Sequence, residues 1–181
     1  MHRRRYRVLI VEDEPDDRFL LERVFRKVLG DQGSVHLVAD GEEAIAYVRG
    51  DGKYADRKLY PFPSFILTDL NMPKVDGFGF LEFLKANPAW NVIPRIVFSS
   101  SEDDDDIRTA YLVGATVYHR KPATLERLKE CAQHMVDYWI TCEVPPMDET
   151  GRLLKTDRRG KLGERFGQPE GGPRMDRPPD V

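Results

Sequence analysis

The chain has 181 residues, 40% hydrophobic and 33% charged, with a formal net charge of −3. That length suffices for one α/β domain with its own core plus an appendage, and the charge balance gives no footprint for nonspecific nucleic-acid binding. No apolar run approaches a membrane span, the basic start Met1–Arg7 lacks the apolar stretch of a signal peptide, and Cys131 and Cys142 make neither a disulfide framework nor a metal pattern, so a cytoplasmic protein is expected.

The first predicted strand, Arg7–Val11, is apolar without alternation and ends in Glu12 and Asp13. Pro15 suits a first helical position, Asp16 and Asp17 sit in the first turn where the helix dipole favours acids, and Leu21, Val24, Phe25 and Val28 form an inner stripe. Gly30 to Gly33 closes that helix. A short strand, Val35–Val38, and a helix from Gly41 to about Arg49 follow, then a long loop, Gly50–Pro63. Phe65–Thr68 reads as a central strand buried on both faces, carrying Asp69 at its C-terminal end before the turn residues Pro73, Asp76 and Gly77. A helix from about Gly79 to Ala86, a strand Arg95–Ser99 and a helix opened by a capping box at Ser101–Asp104 come next. The acidic run Asp103–Asp106 reads as solvated surface at that helix start rather than a metal cage. Thr116–His119 is the fifth strand, Lys121-Pro122 follows, and Thr124 caps a last helix with the stripe Leu125, Leu128, Ala132, Met135 and Trp139.

Strand and helix thus alternate five times by about residue 140, which predicts a parallel sheet with helices on both faces. In such a sheet the strand C-termini share one edge, where ligands of open α/β sheets bind. Glu12, Asp13, Asp69, Ser99 and Lys121 should therefore converge. Clustered carboxylates need a cation, and an all-oxygen set without histidine or cysteine suits Mg²⁺. Lys121 can serve as a point charge for a phosphoryl group, Ser99 can hydrogen-bond a phosphoryl oxygen, and Asp69 is placed to be a nucleophile forming an acyl phosphate.

The Glu12-Asp13 pair, the run Asp69-Leu-Asn-Met-Pro-Lys-Val-Asp-Gly77, Ser99 and Lys121-Pro122 resemble the receiver domain of two-component response regulators over about residues 6–140. The resemblance implies a flavodoxin-like, doubly wound fold with strand order 2-1-3-4-5 and phosphorylation of Asp69 by a histidine kinase. It implies that Glu12, Asp13 and Asp69 hold Mg²⁺ together with the backbone carbonyl of Asn71. It also implies that Ser99 is the switch hydroxyl, Tyr118 the switch aromatic and Lys121 the phosphoryl-contacting lysine, with a cis Lys121–Pro122 peptide. Glu12 stands where Asp is commoner and Ser99 where Thr is, and neither change removes a needed group. The 50–63 loop, Asn87–Pro94 and Val136–Trp139 with Val144-Pro-Pro146 are similar to the small single-domain regulators of phytochrome-type histidine kinases.

The expectation is a receiver domain over residues 1–142, acting as a signalling phosphoacceptor rather than an enzyme on small-molecule substrates. Homodimerisation through the fourth helix, fifth strand and last helix is implied by the family. Alternatives are an aspartyl-phosphate hydrolase, which usually needs an acid where Asn71 stands, and an adaptor that works without phosphorylation. Residues 143–181 carry six of the thirteen prolines and no periodic apolar pattern. They should be disordered alone, or dock as an arm on a second subunit through Val144, Leu153, Leu154 and Phe166.

Overall fold

The computed structural model describes residues 5–88, 90–143 and Gly151. Its elements run β1 (Tyr6–Val11), α1 (Pro15–Leu29), β2 (Gly33–Val38), α2 (Gly41–Arg49), β3 (Phe65–Thr68), α3 (Gly77–Ala86), β4 (Arg95–Ser99), α4 (Asp104–Val113), β5 (Val117–Arg120) and α5 (Leu125–Thr141). The strands pair in parallel in the order β2-β1-β3-β4-β5, the expected doubly wound topology. Among the described residues no helix is long and apolar enough to cross a membrane.

Successive side chains of a strand point to opposite faces, and the core follows that alternation. Val8 and Ile10 pack with Phe25 of α1 and with Leu128 and Met135 of α5. Leu9, Val11 and Ile66 pack on the other side with Tyr47 of α2 and Phe80 and Leu84 of α3. Helices on both faces explain why β1, β3 and β4 are apolar runs rather than alternating ones. Reducing a fully buried residue such as Leu9 or Ile66 to alanine would cost about 2–5 kcal/mol.

Side-chain caps set the starts of α2 to α5, and two of them differ from expectation. Asp40 and Thr124 cap α2 and α5 by accepting the Glu43 and Arg127 N–H groups. Asp76 accepts the Gly79 N–H, so α3 begins at Gly77, two residues earlier than its apolar pattern suggests. The fourth helix is capped by Asp103, not Ser101; the Asp103 carboxylate takes the Asp105 N–H, while the Ser101 hydroxyl bonds Asp106 at 2.6 Å. Leu125, assigned to the inner stripe of α5, is 40% exposed because it opens the helix beyond the sheet's cover. Trp139 stacks on Phe65 with ring centroids 6.4 Å apart.

The stretch from Gly50 to Pro63 is a packed structure rather than a plain loop. Gly52–Ala55 forms a 3₁₀ turn, and Tyr54 and Phe62 are buried. The Tyr47, Tyr54 and Tyr60 rings meet edge-on or tilted at 5.0–6.1 Å. Arg57 donates to the carbonyls of Tyr47 and Val48 at the end of α2, where a cation complements the helix dipole. Gly151 is buried beside the Phe62 ring, so the chain beyond α5 touches its own domain there. Val144, Leu153, Leu154 and Phe166 lie outside the described residues.

Candidate functional site

Backbone pairing continues one step past the strand ends and carries the chemistry with it. Glu12 N–H donates to the Val38 carbonyl, Asp69 N–H to Val11, and Lys121 N–H to Ser99. Glu12, Asp69, Ser99 and Lys121 are thereby held in line along the C-terminal edge of the sheet. The turn after β3 folds back on Asp69. Gly77 N–H donates to the Leu70 carbonyl, and a Cβ at Gly77 would strike the main chain of Asp69 and Leu70. Only glycine allows that approach.

The acids sit as expected. Glu12, Asp13 and Asp69 each offer a carboxylate oxygen within 4.8 Å of the others, with Glu12 and Asp69 buried. Arg18 of α1 donates to the backbone carbonyls of Glu12 and Asp13 at 2.7 and 3.1 Å, fixing the turn that presents them. Asp69 Oδ1 accepts the Leu70 N–H at 2.6 Å and the Asn71 N–H at 3.5 Å, which keeps the Asn71 main chain beside the cluster. An oxygen-only set of this size fits a hard divalent cation that keeps part of its water.

Lys121 Nζ lies 2.7 Å from Asp69 Oδ2, 2.8 Å from Glu12 Oε2 and 3.0 Å from Asp17 Oδ2. Burial would lower the pKa of this ammonium, but hydrogen bonds to Asp69, Glu12 and Asp17 outweigh it and raise the value above the ordinary one. Burial dominates at Glu12, which is pushed up to about 7 despite Lys121, with Asp69 and Asp17 adding like-charge repulsion. The pocket thus holds more negative charge than one lysine neutralises.

Ser99 is fully buried, and its hydroxyl accepts the Ser101 N–H at 3.4 Å. Tyr118 is half-buried against the Leu70, Val97 and Ala110 cluster, and its hydroxyl donates to the Ser101 carbonyl at 3.0 Å. One expectation is corrected. No cis peptide bond occurs among the described residues, so Lys121–Pro122 is trans. The ammonium reaches Asp69 without the bend because the Lys121 N–H is already anchored on Ser99.

Sequence reasoning missed two contributors. The sequence marks Asp17 only as a helix-start acid, yet it bonds Lys121. Lys74, in the left-handed region at φ 62°, reaches Asp40 at 2.6 Å and ties the turn after Asp69 to the start of α2. Nothing in the local pattern marks either, since both contacts cross between elements distant in sequence.

A doubly wound sheet with carboxylates, a lysine and a hydroxyl at its C-terminal rim defines a phosphoacceptor signalling domain. The family model for the response regulator receiver domain matches residues 8–133, and the chain belongs to that family. It is a receiver of two-component signalling, a domain type that is phosphorylated by a histidine kinase and binds a divalent metal. The chain is 34% identical over 136 residues to the probable methanogenesis regulatory protein FilR2 of Methanothrix harundinacea, covering 74% of this chain and 83% of that one. It is 32% identical over 133 residues to the response regulator Rcp1 of Synechocystis sp., covering 74% and 88%. The Mn²⁺-bound structure of Rcp1 superimposes with a TM-score of 0.68 at 30% identity, covering 78% of this chain and 99% of that chain. The phosphorylated cyanobacterial phytochrome response regulator RcpA superimposes with a TM-score of 0.72 at 32% identity and the same coverages.

Proposed function

We propose that Asp69 is the phosphoacceptor and that the receiver works as a Mg²⁺-dependent switch. The observation that carries this is the junction at one rim of Asp69 with the Glu12 and Asp13 carboxylates and with Lys121 Nζ at 2.7 Å. An Asp69 carboxylate oxygen attacks the phosphorus of a phosphohistidine; the O–P bond forms as the N–P bond breaks, and the freed imidazole nitrogen takes a proton. Glu12, Asp13, Asp69 and the Asn71 backbone carbonyl would hold Mg²⁺, which when bound would supply positive charge for the phosphoryl oxygens. Lys121 turns from the carboxylates to a phosphoryl oxygen, supplying a point charge.

The acyl phosphate adds about −1.5 to −2 charges, by analogy with other phosphorylated side chains. Ser99 then donates to a phosphoryl oxygen, and Tyr118 leaves the Ser101 carbonyl to turn inward behind it. The surface that changes is the α4–β5–α5 face, where Tyr111 and Leu112 are 49% and 66% exposed, and we assign homodimerisation to it. Water returns Asp69 to its free state by hydrolysis of the acyl phosphate.

The kinase is of phytochrome type in this reading. Its support is the likeness to RcpA and Rcp1 over most of their length. Phosphotransfer from candidate histidine kinases of the same cell, followed on phosphate-affinity gels, tests both assignments. Asp69→Asn should fold and lose all labelling; persistent full labelling would move the acceptor elsewhere. Preferential transfer from a non-phytochrome kinase would reject the partner while leaving Asp69 in place.

A further inference from the structure

Lys121 has three N–H donors, and three carboxylates occupy them: Glu12 at 2.8 Å, Asp69 at 2.7 Å and Asp17 at 3.0 Å. Two of these acids, Glu12 and Asp69, belong to the oxygen cluster suited to a divalent cation, and Asp17 does not. Asp17 comes from the first turn of α1, and its side chain is 47% exposed. The ammonium and a cation therefore draw on the same two carboxylates, Glu12 and Asp69. A cation entering the cluster repels the ammonium and weakens its hold on them, and the lysine side chain is only 16% exposed. Releasing a charge in such a place without an acceptor is costly.

Asp17 is an acceptor already in contact. A cleft of about 80 Å³, lined by Asp17, Leu20, Leu21, Phe98, Lys121 and Pro122, lies on the same side and gives the lysine stem room to move. We propose that Asp17 is a positioning residue for Lys121: it takes up the ammonium when a divalent cation occupies Glu12, Asp13 and Asp69. Cation entry then leaves no buried charge unpaired, and the lysine stays at the pocket for the incoming phosphoryl group. This rests on the metal reading given above. Its chemistry is an exchange of partners, with no bond made or broken in the chain.

A carboxylate near a cation site also acts through its charge alone, so the test is a double-mutant cycle read by Mg²⁺ binding. Titration calorimetry of the full chain compares wild type, Asp17→Asn, Lys121→Ala and the double variant, each with its fold checked by circular dichroism. Asp17→Asn should weaken Mg²⁺ binding about tenfold when Lys121 is present and less than about twofold when it is absent. Asp17→Glu should recover most of the loss. An equal loss in both lysine backgrounds would reduce Asp17 to a through-space charge and overturn the proposal, as would an unchanged affinity in Asp17→Asn. Absence of Mg²⁺ binding in wild type would overturn the metal reading and this inference together, whereas binding without coupling would overturn the inference alone.

Discussion

Glu12 and Glu43 are both glutamates drawn into the fold and paired with a lysine, yet their acidities move in opposite directions. Glu12 is raised to about 7, chiefly by burial at the rim of the sheet, where it shares Lys121 with Asp69 and Asp17. At Glu43 burial also pulls upward, but Lys53, Tyr54 and the Ala39 N–H outweigh it and hold the carboxyl at about 2. Donors per charge make the difference. Glu43 has three donors of its own and closes the 52–63 segment onto α2; Glu12 has a third share of one lysine and a long bond from the Glu14 N–H at 3.4 Å. A saturated carboxylate is a structural joint, and an undersupplied one has room for a further donor or cation.

Cation addition should break the symmetry most strongly. Mg²⁺ at about 100 times its Kd should stabilise the protein by roughly 2.7 kcal/mol, seen as a rise in Tm. Asp13→Asn should shrink the gain and Glu12→Gln should nearly abolish it, while Glu43→Gln should leave it intact. A wild type with no Mg²⁺-dependent shift would contradict the account of Glu12 as an undersupplied acid.

Glu43→Gln should itself destabilise by about 1–2 kcal/mol at neutral pH, after allowance for solvent around Lys53, and the effect should depend on pH. The folded carboxyl titrates at about 2 and the unfolded one near its ordinary 4.5, so the unfolded chain binds the proton first. Stability from Glu43 is thus complete above pH 4.5 and is lost as pH falls towards 2. Chemical denaturation of wild type and Glu43→Gln across that window should show the difference shrinking with acid. A constant difference would mean that the carboxylate charge is not what matters.

Smaller changes divide the Glu43 contribution further. Tyr54→Phe removes one donor at 2.7 Å and should cost about 0.5–1.5 kcal/mol, less than a cavity substitution because the ring stays. Lys53→Ala removes a partner whose side chain is 64% exposed and should cost only about 0.2–1 kcal/mol. Should Lys53→Ala exceed Tyr54→Phe in urea denaturation, the joint would be held by its ion pair rather than by its buried hydroxyl.

The site was readable because its residues are punctuated by strands. Glu12, Asp13, Asp69, Ser99 and Lys121 each follow an apolar run that could only be a buried strand, and parallel strands put such ends on one edge. Details that depend on competition between neighbours were less readable. Ser101 and Asp103 both fit a cap, and the carboxylate won. Gly50–Pro63 has the composition of a loop, yet Tyr54 and Phe62 bury themselves because Tyr47 and Glu43 of α2 offer them an apolar wall and an acceptor.

By itself, then, the sequence determined the alternation of strands and helices, the parallel sheet and the identity of the rim, since hydrophobic periodicity and turn residues act locally. Tertiary structure alone decided that Asp17 joins Glu12 and Asp69 around Lys121, that the Lys121–Pro122 peptide is trans, and that Lys74 reaches across to Asp40. The two ion pairs join elements far apart in the chain, and the free energy of a charged pair depends on which other charges and how much water surround it. That environment exists only once the chain has folded.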